Sequence, residues 1–512
     1  MADSWVNHME RIGGSDLLLE LSGPGSRRAA LIRALREAVR SGRLAPGTRL
    51  PPYRSLAADL GVARNTVADA YAELVAEGWL TARQGSGTHV AERARPLQAA
   101  VPPKAPAGQP RGRAPRPGLP GRPARPDHPT RHDLRQGTPD ASAFPRSAWL
   151  ASYRRALQQA PNEVFGPGDP AGRPELRAAL AAYLARARGV RTEPDRIVVC
   201  SGFAHALRLL FGGGAGGGTG GGTGGGTGGG RGGRILRGPL AVEAYGLPFH
   251  RELLAAEGVR TVPLPLDEHG ALVDRLARER AVLLTPAHQF PTGGPLHAER
   301  RVAVVDWARA RGTVVLEDDY DGEFRYDRKP VGALQSLDPE QVILIGSVSK
   351  SLSPAVRLGW MVLPERYVGD VLAAKGEREA WASVLDQLAL ADLIVSGAYD
   401  RHVRRMRQRY RGRRDRLVAA LAERAPHIEV SGVAAGLHAV LRLPPGTERS
   451  AVEAAIRQGL ALDGLADFRH PDTDMPAHDG LVVGYATPPE HAYAAALEAL
   501  CGSLPPGGTQ MS

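Results

Sequence analysis

The sequence predicts two folded parts: a small N-terminal unit of three helices and a hairpin, and a large α/β domain with a mostly parallel sheet. Three observations support this. A chain of 512 residues is too long for one hydrophobic core. A segment rich in proline and arginine separates residues 15–92 from residues 132–505. Beyond that segment, helical and strand patterns alternate along the chain, which is typical of α/β domains.

Composition narrows the class of protein. A hydrophobic content of 43% favours a globular protein, and no apolar run reaches the length of a membrane span. The N-terminus carries Asp3 and Glu10 and lacks the basic-then-apolar pattern of an export signal. Two cysteines, Cys200 and Cys501, give no disulfide framework. We therefore expect a cytoplasmic protein with no membrane association, and the net charge of +11 is compatible with a polyanionic partner.

The N-terminal unit reads as three helices and a hairpin. The first helix, about residues 26–40, carries an apolar stripe at Leu31, Leu35 and Val39. We predict further helices at about residues 55–60 and 64–77, and a hairpin formed by residues 79–82 and 88–90. Helix, tight turn and helix is the arrangement that places a recognition helix in the DNA major groove. Arg64, Asn65 and Thr66 lie at the start of the third helix, where base edges are read.

A small helical interaction domain with a solvated basic face is the alternative. The segments LPPYRSLAADLGVARNTV (50–67), EGWL (77–80) and GSGT (85–88) resemble the winged helix-turn-helix of GntR-type repressors. The resemblance implies binding to double-stranded operator DNA. The predicted DNA-contacting residues are Arg54, Ser55, Arg64, Asn65, Thr66, Arg83 and Gly85.

Two segments interrupt the folded parts. Residues 93–131 contain 11 prolines and nine lysines or arginines against one acid, Asp127, and we predict a semi-extended linker. Residues 212–233 consist mostly of GGGT repeats and read as a flexible surface insertion. We assign the insertion no function.

The stretch GSVSKSLSPAVRLGW (346–360) carries the chemistry of the large domain. It follows an apolar run that reads as a buried strand, and it places Lys350 among serines and Arg357. Ser347, Ser349 and Arg357 offer hydroxyls and a charged fork that suit a phosphate dianion. A lysine beside a phosphate cradle is what pyridoxal 5′-phosphate (PLP) requires. The alternative for an isolated motif of this kind is a polar loop with a solvated lysine.

A second phosphate-binding element precedes the glycine-rich insertion. The segment VVCSGFA (198–204) reads as a strand running into a helix, and free N–H groups at a helix N-terminus bind phosphate. The predicted residues are Ser201, Gly202, Phe203 and Ala204. Taken alone, the segment is also an ordinary strand-to-helix turn.

Several ordered segments resemble one family. They are GTPD (137–140), GDPAGRPELR (168–177), TPAHQFPTG (285–293), EDDYDGEFRY (317–326) and the lysine stretch. Together with the N-terminal unit, the chain resembles a MocR-type regulator, in which a GntR-type head is fused to a fold-type I aminotransferase-like, PLP-dependent domain. The resemblance covers nearly the whole chain outside the linker, the insertion and the last residues.

The resemblance implies roles for individual residues. Lys350 forms an aldimine (a Schiff base) with PLP, Asp318 pairs with the pyridine nitrogen, and Tyr320 hydrogen-bonds the phenolic oxygen of the ring. The register of the acids is open by one residue, so that Glu317 or Asp319 are alternatives to Asp318.

The loop at residues 288–292 is expected over the cofactor ring. Phe290 stands where aminotransferases place an asparagine, so a polar contact must come from His288 or Gln289. No metal site is predicted.

Two departures from the family pattern bear on the function. Leu247 stands where the family shows a tyrosine near the cofactor, and Tyr245 is the alternative source of that contact. Val482 stands where aminotransferases carry the arginine that clamps a substrate α-carboxylate, which argues against ordinary transamination. Arg469 and Arg442 are the candidates to replace that arginine.

A basic helix at residues 401–416 is read as a solvated face, with a second DNA-contacting surface as the alternative. We predict a PLP-dependent transcriptional regulator that senses an amine, an amino acid or a vitamin B6 vitamer. The resemblance implies a head-to-tail homodimer, and we expect no turnover of substrate in the cell. The alternatives are an active aminotransferase with an accessory DNA-binding head, and a repressor whose body binds another ligand.

Overall fold

The computed structural model describes residues 21, 26–40, 43–76, 79–83, 87–91, 130–212, 234–326, 331–376, 382–432 and 435–507. Nearly all of the predicted linker and of the glycine-rich insertion lies outside these residues, as does the predicted DNA contact Gly85.

The N-terminal head contains helices α1 (Arg27–Arg40), α2 (Tyr53–Leu60) and α3 (Arg64–Ala76) and strands β1 (Leu80–Arg83) and β2 (Gly87–Val90). Helix α2 ends at Gly61, whose φ of 63° lies in the left-handed region that glycine adopts without strain. The chain then turns directly into α3. Leu35, Leu56, Val67 and Leu74 are buried together in the core of the head. The predicted helix-turn-helix with a hairpin is confirmed.

The helices and strands of the large domain follow in chain order. Its helices are α4 (Arg146–Gln159), α5 (Pro174–Arg188), α6 (Phe203–Phe211), α7 (Pro248–Ala256), α8 (Ala298–Arg311), α9 (Glu365–Lys375), α10 (Val384–Val395), α11 (Ala398–Arg424), α12 (Glu448–Arg457) and α13 (Glu490–Ser503). The longer strands are β4 (Ile197–Cys200), β5 (Leu240–Glu243), β6 (Thr261–Leu264), β9 (Ala281–Leu284), β10 (Val314–Asp319), β11 (Val342–Ser347), β12 (Gly359–Val362), β13 (Glu429–Ser431), β14 (Ala439–Arg442) and β17 (Gly480–Val483). The two-residue strands are β3 (His132–Asp133), β7 (Leu266–Asp267), β8 (Gly270–Ala271), β15 (Leu460–Ala461) and β16 (Asp463–Gly464).

The main sheet has seven strands in the order β4-β12-β11-β10-β9-β5-β6. All neighbouring strands are parallel except β12, which runs antiparallel to both β11 and β4. Helices cover both faces, so strands β10 and β11 are buried except at Ser347, which explains the apolar residues with which both strands begin. The predicted α/β domain with a mostly parallel sheet is confirmed.

A second layer lies near the C-terminus. Strands β13-β14-β17-β16 form an antiparallel sheet, whose core joins residues of α11 and α13 such as Tyr410 and Tyr493. None of the described helices combines the length and the apolar composition that crossing a bilayer requires.

The basic helix α11 differs from the expected solvated face. Arg413 is fully buried, and its guanidinium lies 3.0 Å from Asp140 and 3.1 Å from Glu490. Arg409 approaches Asp140 to 2.7 Å. Arg409 and Arg413 therefore anchor α11 to the rest of the large domain, because a guanidinium removed from water needs an acid beside it. Nearer the N-terminus of α11, Arg404 lies 3.6 Å from Asp59 of the head in the same chain.

Candidate functional site

A cavity of about 270 Å³ lies where the carboxyl ends of the parallel strands meet. Open α/β sheets bind ligands at this edge because the loops there leave a crevice between neighbouring strands. Its lining includes Glu243 at the end of β5, Thr285 after β9, Asp318 on β10, Ser347 at the end of β11 and Gly202 after β4. The cavity therefore collects residues that are far apart in the sequence.

Lys350 follows β11 and lines the cavity. Its amine donates a hydrogen bond to the carbonyl oxygen of Gly137. Burial lowers the pKa of Lys350, while the charges of Asp318 and Asp321 act in the opposite direction. A lowered pKa favours the neutral amine, the form that attacks an aldehyde.

The two predicted halves of the phosphate cradle lie side by side. Strand β12 joins them, because Gly359 is the register partner of both Cys200 on β4 and Ser347 on β11. A Cβ atom at position 359 would lie 2.7 Å from the Cα of Gly202, so only glycine permits this approach. The N-terminus of α6 therefore faces Ser347 and the lysine loop. Gly202, Phe203, Ala204, Ser347 and Ser349 line the cavity, and Ser201 is not part of its lining.

Arg357 completes this side of the cavity. Its φ of 55° makes it the one residue other than glycine with a positive φ in the described part of the chain. Such a conformation costs free energy and persists where the surroundings impose it, often at a functional site. Its charge reaches His205 on α6, whose pKa is lowered to about 4 by burial and then by the charges of Lys375, Arg208 and Arg357.

The structure separates the three candidate acids of β10. Asp318 lines the cavity. Successive side chains of a strand point to opposite faces, so Glu317 and Asp319 lie on the other side. There Glu317 accepts hydrogen bonds from the backbone N–H groups of residues 334 and 335, and Asp319 forms a paired contact of 2.7 Å with Arg188. Burial raises the pKa of Asp318 well above its usual range, and the charge of Lys350 opposes that rise.

Tyr320 lines the cavity, but its hydroxyl donates to the carbonyl oxygen of His288 at 3.0 Å. The expectation that His288 or Gln289 contacts a ligand differs from the structure, because neither residue lines the cavity. Gln289 donates to the carbonyl oxygens of Tyr245 and Phe290 and is held inside the loop. Phe290 itself lines the cavity.

Behind Tyr320 lies a buried polar cluster of His288, Asp321 and His438. Their ligand atoms lie within 4.8 Å of one another, a spacing that could hold a metal ion. The Nδ1 atom of His288 lies 2.8 Å from Asp321, and Nε2 of His438 donates to the carbonyl oxygen of Pro291 at 3.0 Å. These hydrogen bonds are enough to explain why the three polar side chains lie together.

Tyr245 and Leu247 both line the cavity, and both therefore remain candidates for contact with a ligand. The hydroxyl of Tyr245 is buried and has no hydrogen-bond partner among the described residues. A buried hydroxyl normally has a partner, so one is expected from a molecule in the cavity.

Four acidic or basic residues of the cavity were not predicted from the sequence: Glu243, His250, Arg251 and His438. Glu243 belongs to the segment VEAYGLP, and its position beside Tyr245 was the available signal. His250 and Arg251 follow on α7 without a recognisable motif. His438 precedes β14 and is nearly 90 residues from Lys350 along the chain, and no sequence pattern links the two.

The DNA-binding candidates of the head lie on two neighbouring helices. Arg64 and Asn65 are exposed in the first turn of α3, and Thr66 is half-exposed beside them. Arg54 is exposed and Ser55 half-exposed in the first turn of α2, and Arg83 ends β1.

Comparison with known proteins gives matches to both parts. Residues 27–90 match bacterial regulatory proteins of the gntR family, and residues 240–471 match aminotransferase class I and II. The chain is 31% identical to the HTH-type pyridoxine biosynthesis transcriptional regulator PdxR of Corynebacterium glutamicum, over 91% of this chain and 93% of that protein. It is 32% identical to the probable rhizopine catabolism regulatory protein MocR of Rhizobium meliloti, over 89% of each.

Solved structures resemble the large domain. An archaeal alanine:glyoxylate aminotransferase superposes with a TM-score of 0.62 at 22% identity, over 72% of this chain and 89% of that one. At this level of identity the likeness shows the fold of the large domain, which is that of the aminotransferases.

Proposed function

The chain belongs to the MocR-type family of HTH-type transcriptional regulators, in which a GntR-type head is joined to an aminotransferase-like domain, and on that premise we propose that it is a PLP-dependent regulator. The head binds double-stranded operator DNA, and the body senses an amine, an amino acid or a vitamin B6 vitamer at Lys350. The domain limits are residues 15–92 for the head, 93–131 for the linker and 132–505 for the body.

The observation that carries the proposal is the convergence of a half-buried lysine, a buried acid and an anion-binding wall on one cavity. Lys350 supplies a primary amine whose pKa burial lowers. Arg357, Ser347, Ser349 and the N-terminus of α6 would hold a phosphate dianion, because guanidinium, hydroxyl and free backbone N–H groups all donate to it.

The other residues also fit PLP. Asp318 is a buried acid whose pKa is raised, and a protonated pyridine nitrogen is the kind of cation that would stabilise its carboxylate. The hydroxyl of Tyr245 has no partner among the described residues and suits an oxygen atom on the ring, whereas the hydroxyl of Tyr320 would first have to leave the carbonyl oxygen of His288. When bound, PLP supplies an aldehyde that reacts with primary amines and a ring that withdraws electrons.

A response to the ligand requires two states of the protein that bind it differently. We propose a head-to-tail homodimer in which each head contacts the opposite body, so that a change at Lys350 alters the spacing of the heads on two operator half-sites. The relative from C. glutamicum is named for pyridoxine biosynthesis, which keeps a B6 vitamer among the candidate signals.

Two variants separate the two activities of the full-length protein. In Lys350→Ala the absorption band that marks covalent attachment of PLP to the lysine should be lost, while DNA binding by the cofactor-free protein is unchanged. In Arg64→Ala the affinity for a DNA fragment selected from a random pool should fall by about 1–3 kcal/mol, roughly 5- to 150-fold, with the band intact.

The controls are matched in residue type. Lys375→Met removes another buried lysine, which lies outside the cavity, and should keep the band. Arg449→Ala removes an exposed arginine of the body and should keep the DNA affinity. A wild-type protein that binds no PLP, or a band that survives in Lys350→Ala, would refute the proposed role of the body.

An active aminotransferase with an accessory head is the second candidate, because the large domain has the aminotransferase fold and Lys350 and Asp318 line its cavity. Steady-state transamination with a panel of common amino donors distinguishes the two. Brisk turnover would favour the enzyme, and we expect none.

A further inference from the structure

The cavity has a second wall, formed by an apolar cluster that contains Val482. The cluster consists of Ala244, Tyr245, Phe290, Val440, Leu465, Phe468 and Val482. Phe290 packs edge-on against Phe468, with ring centroids 5.3 Å apart, and against Tyr320, at 6.1 Å. Tyr245 and Phe290 carry this cluster to the surface of the cavity. Val482 is fully buried behind them. The position where related enzymes bind a carboxylate is therefore part of a hydrophobic core.

Neither candidate replacement arginine reaches the cavity. Arg442 is exposed at the end of β14, and its guanidinium lies 3.6 Å from Glu429. Arg469 donates to the carbonyl oxygens of Thr473 and Met475. Neither residue belongs to the lining of the cavity. The loss of the arginine at position 482 is thus not compensated within the described part of this chain.

Two arginines do line the cavity, and neither belongs to the apolar cluster. The guanidinium of Arg251 donates to three backbone carbonyl oxygens, those of Gly246, Phe468 and Arg469. Arg357 lies on the opposite, phosphate-binding wall beside the N-terminus of α6.

The histidines of the cavity add no positive charge. His438 packs on Phe290 at 4.9 Å, and burial lowers its pKa to about 3. Burial also lowers the pKa of His250 to about 3. Both are neutral at pH 7.

We propose that this cavity selects as effector a primary amine with an apolar substituent and without an α-carboxylate. The inference rests on the proposed function and narrows its ligand class. A carboxylate placed against Phe290 and the Val482 cluster would lose its water without gaining a charged partner, which is strongly unfavourable. An apolar group in the same place gains roughly 25 cal/mol for each Å² that it buries.

The test uses ligand pairs that differ only in the carboxylate. The PLP-loaded, full-length protein is titrated with 2-phenylethylamine and L-phenylalanine, and with tyramine and L-tyrosine, while the cofactor absorption band is recorded. Each amine should shift the band at a concentration at least about tenfold below that of its amino acid. The same titrations followed by calorimetry give the affinities without reliance on the spectrum.

A gain-of-function variant sharpens the result. Val482→Arg places a guanidinium where the amino-acid-binding enzymes have one, and it should improve the response to L-phenylalanine at least about tenfold. Val482→Leu changes only the shape of the side chain and should keep the preference for amines. If Val482→Arg fails to fold, the comparison of ligand pairs on the native protein still decides.

The outcomes separate this inference from the proposed function. Equal responses to amine and amino acid, or a stable band that none of the ligands shifts, would overturn the inference while leaving PLP binding intact. A protein without any PLP band would overturn the proposed function and the inference with it.

Discussion

The two walls of the cavity differ in how closely they follow the aminotransferase pattern. The wall formed by the lysine loop and the start of α6 keeps the lysine, both serines, the arginine and Asp318 in one place. The opposite wall replaces polar groups with an aromatic and aliphatic cluster around Phe290 and Val482. A protein that binds a cofactor without turning over amino acids needs the residues of the first wall. It does not need polar groups in the second wall. The difference therefore favours sensing over catalysis.

Arg357→Ala lies in the wall formed by the lysine loop and the start of α6, here called the cofactor wall. It is expected to have the largest effect of the substitutions considered. Removing a charged hydrogen-bonding partner of a buried phosphate should weaken PLP binding by about 2–3 kcal/mol, roughly 30- to 150-fold in Kd. Arg357→Lys keeps the charge without the planar fork, and its PLP affinity should lie between those of the wild type and of Arg357→Ala. Equilibrium dialysis with PLP measures both, and Arg449→Ala serves as the control. Unchanged retention in Arg357→Ala would show that other groups hold the phosphate.

The same comparison shows what the sequence could reveal. The cofactor wall was predictable because its residues lie in short motifs, such as the seven residues from Ser347 to Ser353 and the turn at residues 201–204. The register of the acids was not, since the alternation of side chains on β10 selects Asp318 only once the faces of the strand are known.

The apolar wall was out of reach of sequence reasoning. Phe290 and Val482 were each recognised as departures, but they are 192 positions apart in the numbering of the chain, and only packing brings them into one cluster. The loop at residues 288–292 reaches the cavity through Phe290, but not through its polar side chains. Hydrogen bonds to Asp321 and to backbone carbonyls hold His288 and Gln289 away from the cavity.

Glu243, which also lines the cavity, gives a prediction of intermediate size. It accepts hydrogen bonds from the backbone N–H and the hydroxyl of Thr285, yet burial raises its pKa to about 7. Because the folded-state pKa is raised, its contribution to stability is fully present below the ordinary carboxyl range and is lost as the pH rises through about 7. The loss between pH 5 and pH 8 is about 2.5 kcal/mol.

Glu243→Gln imitates the protonated acid and should remove that part of the pH dependence. Thermal unfolding of the ligand-free protein across this range measures it, with the exposed Glu453→Gln as the control. Equal slopes in wild type and Glu243→Gln would mean that the carboxyl is ionised and that a cation compensates it.

Tyr245→Phe should have the smallest effect, and it tests a residue of the apolar wall that carries a polar atom. Its ring lies in the apolar cluster, while its hydroxyl is buried without a partner among the described residues. If bound PLP supplies the missing partner, removal of the hydroxyl should weaken PLP binding by about 1 kcal/mol, roughly 3- to 10-fold. The same substitution should raise the Tm of the ligand-free protein, because an unsatisfied polar atom leaves the interior. Tyr493→Phe removes a hydroxyl that donates to the carbonyl oxygen of Arg413 at 2.7 Å, so it should lower the Tm and leave PLP affinity unchanged. A raised Tm without any change in PLP affinity would assign Tyr245 to the apolar wall alone and leave Leu247 in a position that offers the cofactor no hydrogen bond.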